Sequence, residues 1–145
     1  MQIPIFGRYE PEIAYRPRPG AYALLLNPVG LLGRVRLPAG FFLPGGALEG
    51  NENPEDALLR EIEEETAFEA RILWRLGEAN QYLYREGYAS GVCKHSVFYL
   101  AETVEPIAGQ AEHPIDWVTP TELASSLLHE SQRWAVETFA PYLKA

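Results

Sequence analysis

The residues most able to do chemistry in this chain lie in an acidic stretch between positions 49 and 65. The stretch holds eight carboxylates and one base, Arg60, so it accounts for nearly all of the formal net charge of −8. Clustered like charges repel one another unless something positive lies among them, and hard divalent cations are a common partner because they prefer oxygen ligands. An ion such as Mg²⁺ held there would bind phosphate oxygens and acidify a bound water. The stretch therefore predicts a metal-dependent site for phosphate-bearing substrates.

Three of these acids, Glu61, Glu64 and Glu65, have the spacing of neighbours on one helix face. Without a bound cation, their repulsion is expected to raise some of their pKa values. Gly45 and Gly46 lie upstream, and residues without a Cβ let the backbone approach closely, so that a carbonyl there could also bind metal. The usual outcome for an acidic helix face is simple solvation. The spacing and the two glycines favour the metal site instead.

The helix that carries these acids has clear local signals. Asn53 is a good N-cap, and Pro54 suits the first helical position, where its missing N–H costs nothing. Apolar residues at helical spacing supply a stripe that can pack on a sheet. These signals predict a helix that begins at Pro54 and ends near Thr66 or Ala67.

The remaining segments predict a mixed β-sheet packed between helices, because a hairpin, a helix, further strands and two more helices follow one another. Residues 1–20 contain four prolines and are expected to form an irregular lead-in with at most one edge strand near residues 3–9. The predicted strands are 21–26, 31–37, 71–76, 79–84, 92–102 and 115–118, with loops at 85–91 and 105–114. The predicted later helices begin at Pro120 and at Ser131, the last one with a bend before Pro141.

Length and composition predict one ordinary domain of 145 residues. Cys93 is the only cysteine, which rules out an intrachain disulfide and favours a reducing, cytoplasmic compartment. We expect neither a leader segment nor a membrane span, because no apolar run approaches about 18 residues. The acidic balance argues against a stable nucleic-acid complex, which needs basic patches.

The spacing from Gly46 to Phe68 resembles the Nudix box, G-x5-E-x7-R-E-U-x-E-E-x-G-U, in which U is apolar. Eight of its nine specified positions agree, and the exception is Ala67, where the box has glycine. The late Trp117-Val118 and Glu122-Leu123 also look like that family. The resemblance implies a single Nudix domain over residues 1–145 with an α/β/α sandwich fold, a mixed sheet lying between helices.

The resemblance also implies roles for individual residues. Glu64 and Glu65 match the main metal ligands, and Glu61 matches an acid that binds metal or deprotonates the attacking water. Gly46 matches a backbone carbonyl ligand. Arg60 and Glu52 match a pair that orients the loop and helix, and neither is expected to act as a base. Some relatives place a further catalytic glutamate in a late loop, for which Glu112 is the nearest candidate.

Ala67 departs from the family pattern at the end of the predicted helix. The glycine found there in relatives permits a positive φ, at which alanine would cost about 1 kcal/mol. The alternative is one more helical residue before the turn. The departure concerns the geometry of the helix end more than the metal ligands.

The implied activity is a metal-dependent hydrolase that uses Mg²⁺ or Mn²⁺. It would cleave a diphosphate linkage in a nucleoside diphosphate attached to another group, as in a nucleotide sugar, ADP-ribose, a dinucleoside polyphosphate or a nucleoside triphosphate. The implied partner is this small-molecule nucleotide, and a homodimer is common in the family.

Two other functions stay open at this point. One is a non-catalytic Nudix domain that senses nucleotides, although a pure binder need not retain the glutamates. The other is an isomerase of diphosphate-bearing isoprenoids, for which Cys93 is the sole candidate cysteine. The histidines His95, His113 and His129 show no metal-ligand spacing and are expected in loops or on the surface.

Overall fold

One mixed sheet of eight strands organises the computed structural model, which describes residues 2–143. The strands are Ile5–Phe6 (β1), Ala14–Leu26 (β2), Leu32–Leu37 (β3), Gly40–Phe42 (β4), Gly45–Ala47 (β5), Phe68–Tyr84 (β6), Ser90–Pro106 (β7) and Ile115–Val118 (β8). The strand order along the sheet is β1-β6-β7-β2-β3-β4, while β5 pairs with β2 and β8 pairs with β3. The helices are Pro54–Thr66 (α1), Pro120–Ser126 (α2) and Glu130–Phe139 (α3), with a 3₁₀ turn at Ala140–Tyr142.

Helices cover both faces of the sheet, which confirms the predicted α/β/α sandwich. On one face, Leu58 and Ile62 of α1 pack against alternate residues of β2 and β7. On the other face, residues of α2 and α3 pack against the intervening positions of the same strands. This division follows from the strand period of two, since successive side chains point to opposite faces. Among residues 2–143, no helix is long and apolar enough to cross a membrane.

The prediction of an irregular lead-in over residues 1–20 was wrong in its second half. Strand β2 begins at Ala14 and runs parallel to β7 along its whole length, from Ala14 beside Ser90 to Leu26 beside Glu102. Prolines are tolerated where no ladder bond is lost. The carbonyl of Pro19 accepts a hydrogen bond from the Leu48 N–H on the side away from β7, so its missing N–H interrupts no bond with that partner.

Two predicted strands, 71–76 and 79–84, are a single strand, β6, with register shifts in its first half. Gly77 lies within it, between the two predicted ranges. A Cβ at Gly77 would lie 2.8 Å from the ring of Phe139, so the glycine makes room for that ring instead of breaking the strand. The predicted bend before Pro141 is confirmed, because α3 ends at Phe139 and a 3₁₀ turn follows. Strand β5 was not predicted.

Helix α1 has the predicted caps and buried stripe. The Asn53 side chain accepts a hydrogen bond from the Asp56 N–H at 2.9 Å. Ala57, Leu58 and Ile62 are fully buried. The helix ends at Thr66, and Ala67 takes the left-handed conformation, with φ 58° and ψ 30°. Among the described residues, Ala67 is the only non-glycine residue with positive φ. The alternative of one further helical residue is therefore wrong.

Replacing Ala67 by glycine should stabilise the fold. The left-handed conformation costs an alanine about 1 to 2 kcal/mol, and glycine adopts it freely but loses more backbone entropy on folding. We expect Ala67→Gly to raise the free energy of unfolding by about 1 kcal/mol, measured by urea denaturation. Ala124→Gly, at a helical position of α2, is the matched control and should lower the same quantity. Equal destabilisation by both changes would contradict the account of this helix end.

Candidate metal and phosphate site

The glycine bend before α1 lies directly against the helix. Gly45 and Gly46 pair with Tyr22 and Ala21 of β2, which fixes the backbone of the bend to the centre of the sheet. A Cβ on Gly46 would lie 2.7 Å from the Glu61 carboxyl carbon. Only glycine therefore allows the backbone and this carboxylate to come so close together.

Arg60 connects the loop to the helix through several carboxylates. Its Nε and Nη2 donate to the two carboxylate oxygens of Glu52 at 2.8 and 2.9 Å. Its Nη1 donates to Glu61 at 3.1 Å and to Glu64 at 3.3 Å. The hydrogen bonds from Arg60 and from the Glu49 N–H lower the pKa of Glu52 to about 2. Glu52 is thus firmly ionised and accepts both hydrogen bonds from the guanidinium.

Glu65 points inward from the same helix. Glu65 is only 8% exposed, and its Oε1 accepts a hydrogen bond from the Gly45 N–H at 2.9 Å. Burial raises the pKa of Glu65 to about 8, and the negative charges of Glu61 and Glu112 add to the rise. The glycine bend is therefore held to α1 at two points, because Glu61 lies against Gly46 and Glu65 accepts a hydrogen bond from Gly45.

The pKa of Glu61 is also raised, mainly by burial, against the opposing effect of Arg60. The sequence predicted raised pKa values here from mutual repulsion. The direction is confirmed for Glu61 and Glu65, but burial is the larger cause and repulsion the smaller one. The reason is that these two carboxylates lie beneath the glycine bend instead of on an open helix face.

Glu64 and Glu112 complete the acidic surroundings. The Glu64 side chain is 48% exposed. The N–H of Glu112 donates to the Glu64 backbone carbonyl at 3.1 Å, so the loop before β8 lies across the end of α1. The negative charge of Glu112 contributes to the raised pKa of Glu65. The loop thereby brings Glu112 close to the other acids, although no motif fixed its position in the sequence.

We refer to Gly46, Glu61, Glu64 and Glu65 as the acid site. The chemical type of its donor atoms, which are oxygens, is the type that a hard cation prefers. All side-chain donors are carboxylate oxygens, one glycine backbone lies against them, and Arg60 is the nearest cation. Within residues 2–143, no group of three acidic, histidine or cysteine side chains is arranged so that it could hold a metal ion by itself. Instead, the carboxylates of Glu61 and Glu64 accept hydrogen bonds from Arg60, and that of Glu65 accepts one from the Gly45 N–H. Mg²⁺ does not require three converging protein ligands, since it is usually bound through one or two carboxylates together with waters and substrate phosphates.

A buried lysine–histidine pair on the α3 side of the sheet was not predicted from the sequence. Lys94 of β7 is 4% exposed, and its Nζ lies 3.2 Å from His129 Nδ1. Burial and the charge of Arg18 lower the pKa of Lys94 to about 7. His129, expected in a loop or on the surface, precedes α3 and is half-buried, with a pKa lowered to about 4 by burial and the nearby cations. The alternation of Lys94 with the apolar Phe98 and Leu100 was the signal that it faces the core.

Comparisons with known proteins agree with this architecture. The NUDIX domain family model matches residues 16–140. A MutT protein from Methanosarcina mazei has 21% identity and a TM-score of 0.69, with 90% of this chain and 98% of that chain covered. The ORF135 protein of E. coli has 20% identity and a TM-score of 0.63, with coverage of 90% and 93%.

A NUDIX hydrolase from Nitrosomonas europaea has 15% identity and a TM-score of 0.68, with 88% of this chain and 90% of that chain covered. A comparison with curated proteins gives no significant match. At these low identities, the structural similarity shows only that the fold is shared. Family membership is shown by the family-model match over most of the chain. The chain belongs to the Nudix family and is a Nudix-type pyrophosphohydrolase.

Proposed function

We propose that this protein is a Mg²⁺- or Mn²⁺-dependent hydrolase of a diphosphate linkage in a nucleoside diphosphate attached to another group. The observation that carries the proposal is the contact between the Glu61 carboxylate and the backbone of Gly46. It joins a helix acid to a backbone segment able to offer a carbonyl, beside two further acids of the same helix. Nucleotide sugars, ADP-ribose, dinucleoside polyphosphates and nucleoside triphosphates all carry the linkage.

Glu64 and Glu65 would hold the ion, together with Glu61 and the Gly46 carbonyl. When bound, a divalent ion supplies an acidified water and charge neutralisation for phosphate oxygens. The chain's own contribution is to fix its donors. The Gly45 N–H holds Glu65 in place, and Arg60 holds Glu61 and Glu64. Donors fixed in advance need little reorganisation when charge develops on the phosphoryl group.

Two carboxylates could accept the proton of the attacking water. Glu61 is partly buried with a raised pKa, which brings it nearer the range useful to a general base. Glu112 is exposed on the loop beside the acid site and is free to approach a substrate. Glu52 is unsuited to the role, because Arg60 binds both of its oxygens. Arg60 and Glu52 are positioning residues in this scheme.

Other parts of the proposal follow from the family and the composition. We treat the chain as one domain acting on a small-molecule nucleotide. We place it in the cytoplasm, which suits its single free cysteine. We include a homodimer as one assembly open to it.

Glu64→Gln should lower kcat by at least about 100-fold, because it removes one charged group that supports the reacting phosphoryl group. The measurement is hydrolysis of a nucleotide panel with Mg²⁺ or Mn²⁺, with and without chelator. Glu63→Gln is the matched control, since Glu63 is an exposed acid on the same helix outside the acid site, and it should leave kcat near the wild-type value.

Unchanged turnover under chelator would contradict metal dependence, and a near-wild-type rate for Glu64→Gln would remove Glu64 from its role. Tight nucleotide binding without product, at saturating Mg²⁺ and Mn²⁺, would favour the alternative of a nucleotide-sensing domain.

Arg60→Lys should raise the Mg²⁺ concentration needed for half-maximal activity by roughly tenfold, the scale seen for residues that orient metal ligands. Lysine cannot bind Glu52 with two parallel hydrogen bonds and reach Glu61 and Glu64 at the same time. Arg71→Lys, at an exposed ion pair with Glu102, is the control and should not change the metal requirement. A normal metal requirement in Arg60→Lys would show that the guanidinium does not position the ligands.

A further inference from the structure

The side chain of Gln132 joins helix α3 to the chain segment that leads into the glycine bend. Gln132 is completely buried, and its Oε1 accepts a hydrogen bond from the Leu43 N–H at 2.9 Å. Leu43 is itself buried, so water cannot replace this partner. Because a buried N–H without an acceptor is strongly unfavourable, the bond restricts where the backbone of Leu43 can lie.

The segment 43–46 is held between the two helical layers of the fold. On the α1 side, the Gly45 N–H donates to Glu65 Oε1 at 2.9 Å. At the sheet, the Pro44 carbonyl accepts a hydrogen bond from an N–H of β2 at 2.9 Å. In the described part of the chain, the bond from Leu43 is the only hydrogen bond that connects this segment to α3. The glycine bend is therefore anchored from both faces of the sheet, and from the α3 face by one side chain.

The position of α3 does not depend on this bond. Ser131, in the same first turn of the helix, donates from its N–H and its Oγ to Gln81 Oε1 of β6 at 3.0 and 2.6 Å. Further along the helix, Val136 packs in the hydrophobic core. Since these contacts already fix the helix on the sheet, the bond of Gln132 serves to place Leu43 relative to the helix.

The other polar atom of the Gln132 amide has no partner. Its Nε2 is buried and makes no hydrogen bond within the described residues. Folded proteins rarely leave such a donor unpaired, because the lost contact with water is not compensated. An apolar side chain of similar length, such as methionine, would avoid this cost but would leave the Leu43 N–H without an acceptor. The acceptor oxygen is therefore the part of this side chain that the fold uses.

We propose that Gln132 is a positioning residue that fixes the glycine bend from the α3 side of the sheet and so keeps Glu61 and Glu65 together for the cation. Loss of its bond frees Leu43, and the movement passes along the chain to Gly45, whose N–H then no longer holds Glu65. The effect on the cation rests on the proposed function. The effect on the backbone does not, since it can be measured in the metal-free protein.

Amide hydrogen exchange, followed by NMR in the metal-free protein, tests the effect on the bend. Gln132→Met should exchange at least about tenfold faster than the wild type at both Leu43 and Gly45, after correction for global unfolding from amides at the centre of β7. Gln132→Glu keeps an acceptor oxygen and should restore slow exchange at both positions. Ser131→Ala is the matched control, because it removes a buried hydrogen bond from the same helical turn that does not reach the bend. It should leave both rates at their wild-type values.

Exchange in the wild type gives a second test, which decides the question even if Gln132→Met does not fold. If the segment opens as one unit, the amides of Leu43 and Gly45 should have the same free energy of opening, below that of amides at the centre of β7. Different opening free energies at these two amides would overturn the proposal. Wild-type exchange at Gly45 in a folded Gln132→Met protein would overturn it as well.

Mn²⁺ binding, followed by electron paramagnetic resonance, tests the effect on the cation. Gln132→Met should bind Mn²⁺ roughly tenfold more weakly than the wild type, the scale seen for residues that orient metal ligands. Gln132→Glu and Ser131→Ala should bind it as the wild type does. Wild-type affinity in a Gln132→Met protein whose Gly45 amide exchanges faster would overturn the link between the bend and the cation. Faster exchange at Gly45 in that variant, with no Mn²⁺ binding by the wild type, would refute the proposed function and leave the positioning of the bend standing.

Discussion

The contact between the Glu61 carboxylate and the backbone of Gly46 is the constraint on which the rest of the site depends. It requires a glycine, because a Cβ at Gly46 would lie 2.7 Å from the carboxyl carbon. It also requires α1 to be held in one position against β2, and the buried side chains of Leu58 and Ile62 hold it there. Arg60 then distributes its donors among the neighbouring acids. Like charges are thereby held together by packing and by one cation.

The two sides of Tyr22 have opposite character. Acids under the glycine bend lie on one side, and a buried lysine with an exposed arginine lies on the other. Neither side is fully compensated by the protein itself, since burial disfavours ionisation of Glu65 and of Lys94 alike. Such opposed charges cost stability in the free protein. Natural active sites commonly carry this kind of cost.

Local signals made part of the structure predictable. Asn53 and Pro54 fixed the start of α1 because caps act within one helical turn. The first half of β2 was not predictable in this way, because its stability comes from pairing with β7, far along the chain. The helical spacing of Glu61, Glu64 and Glu65 predicted that these three acids lie near one another. The contacts of Lys94 with His129 and Tyr22 could not be predicted, since those residues come from distant elements.

The central claim is that the bare backbone of Gly46 lets Glu61 reach a cation. Mn²⁺ binding by Gly46→Ala, followed by electron paramagnetic resonance, tests it most directly. The added methyl meets only the far end of a side chain, so the fold should persist, as circular dichroism can verify. The account predicts Mn²⁺ affinity lower by roughly tenfold than in the wild type. Wild-type affinity in a folded Gly46→Ala protein would contradict it.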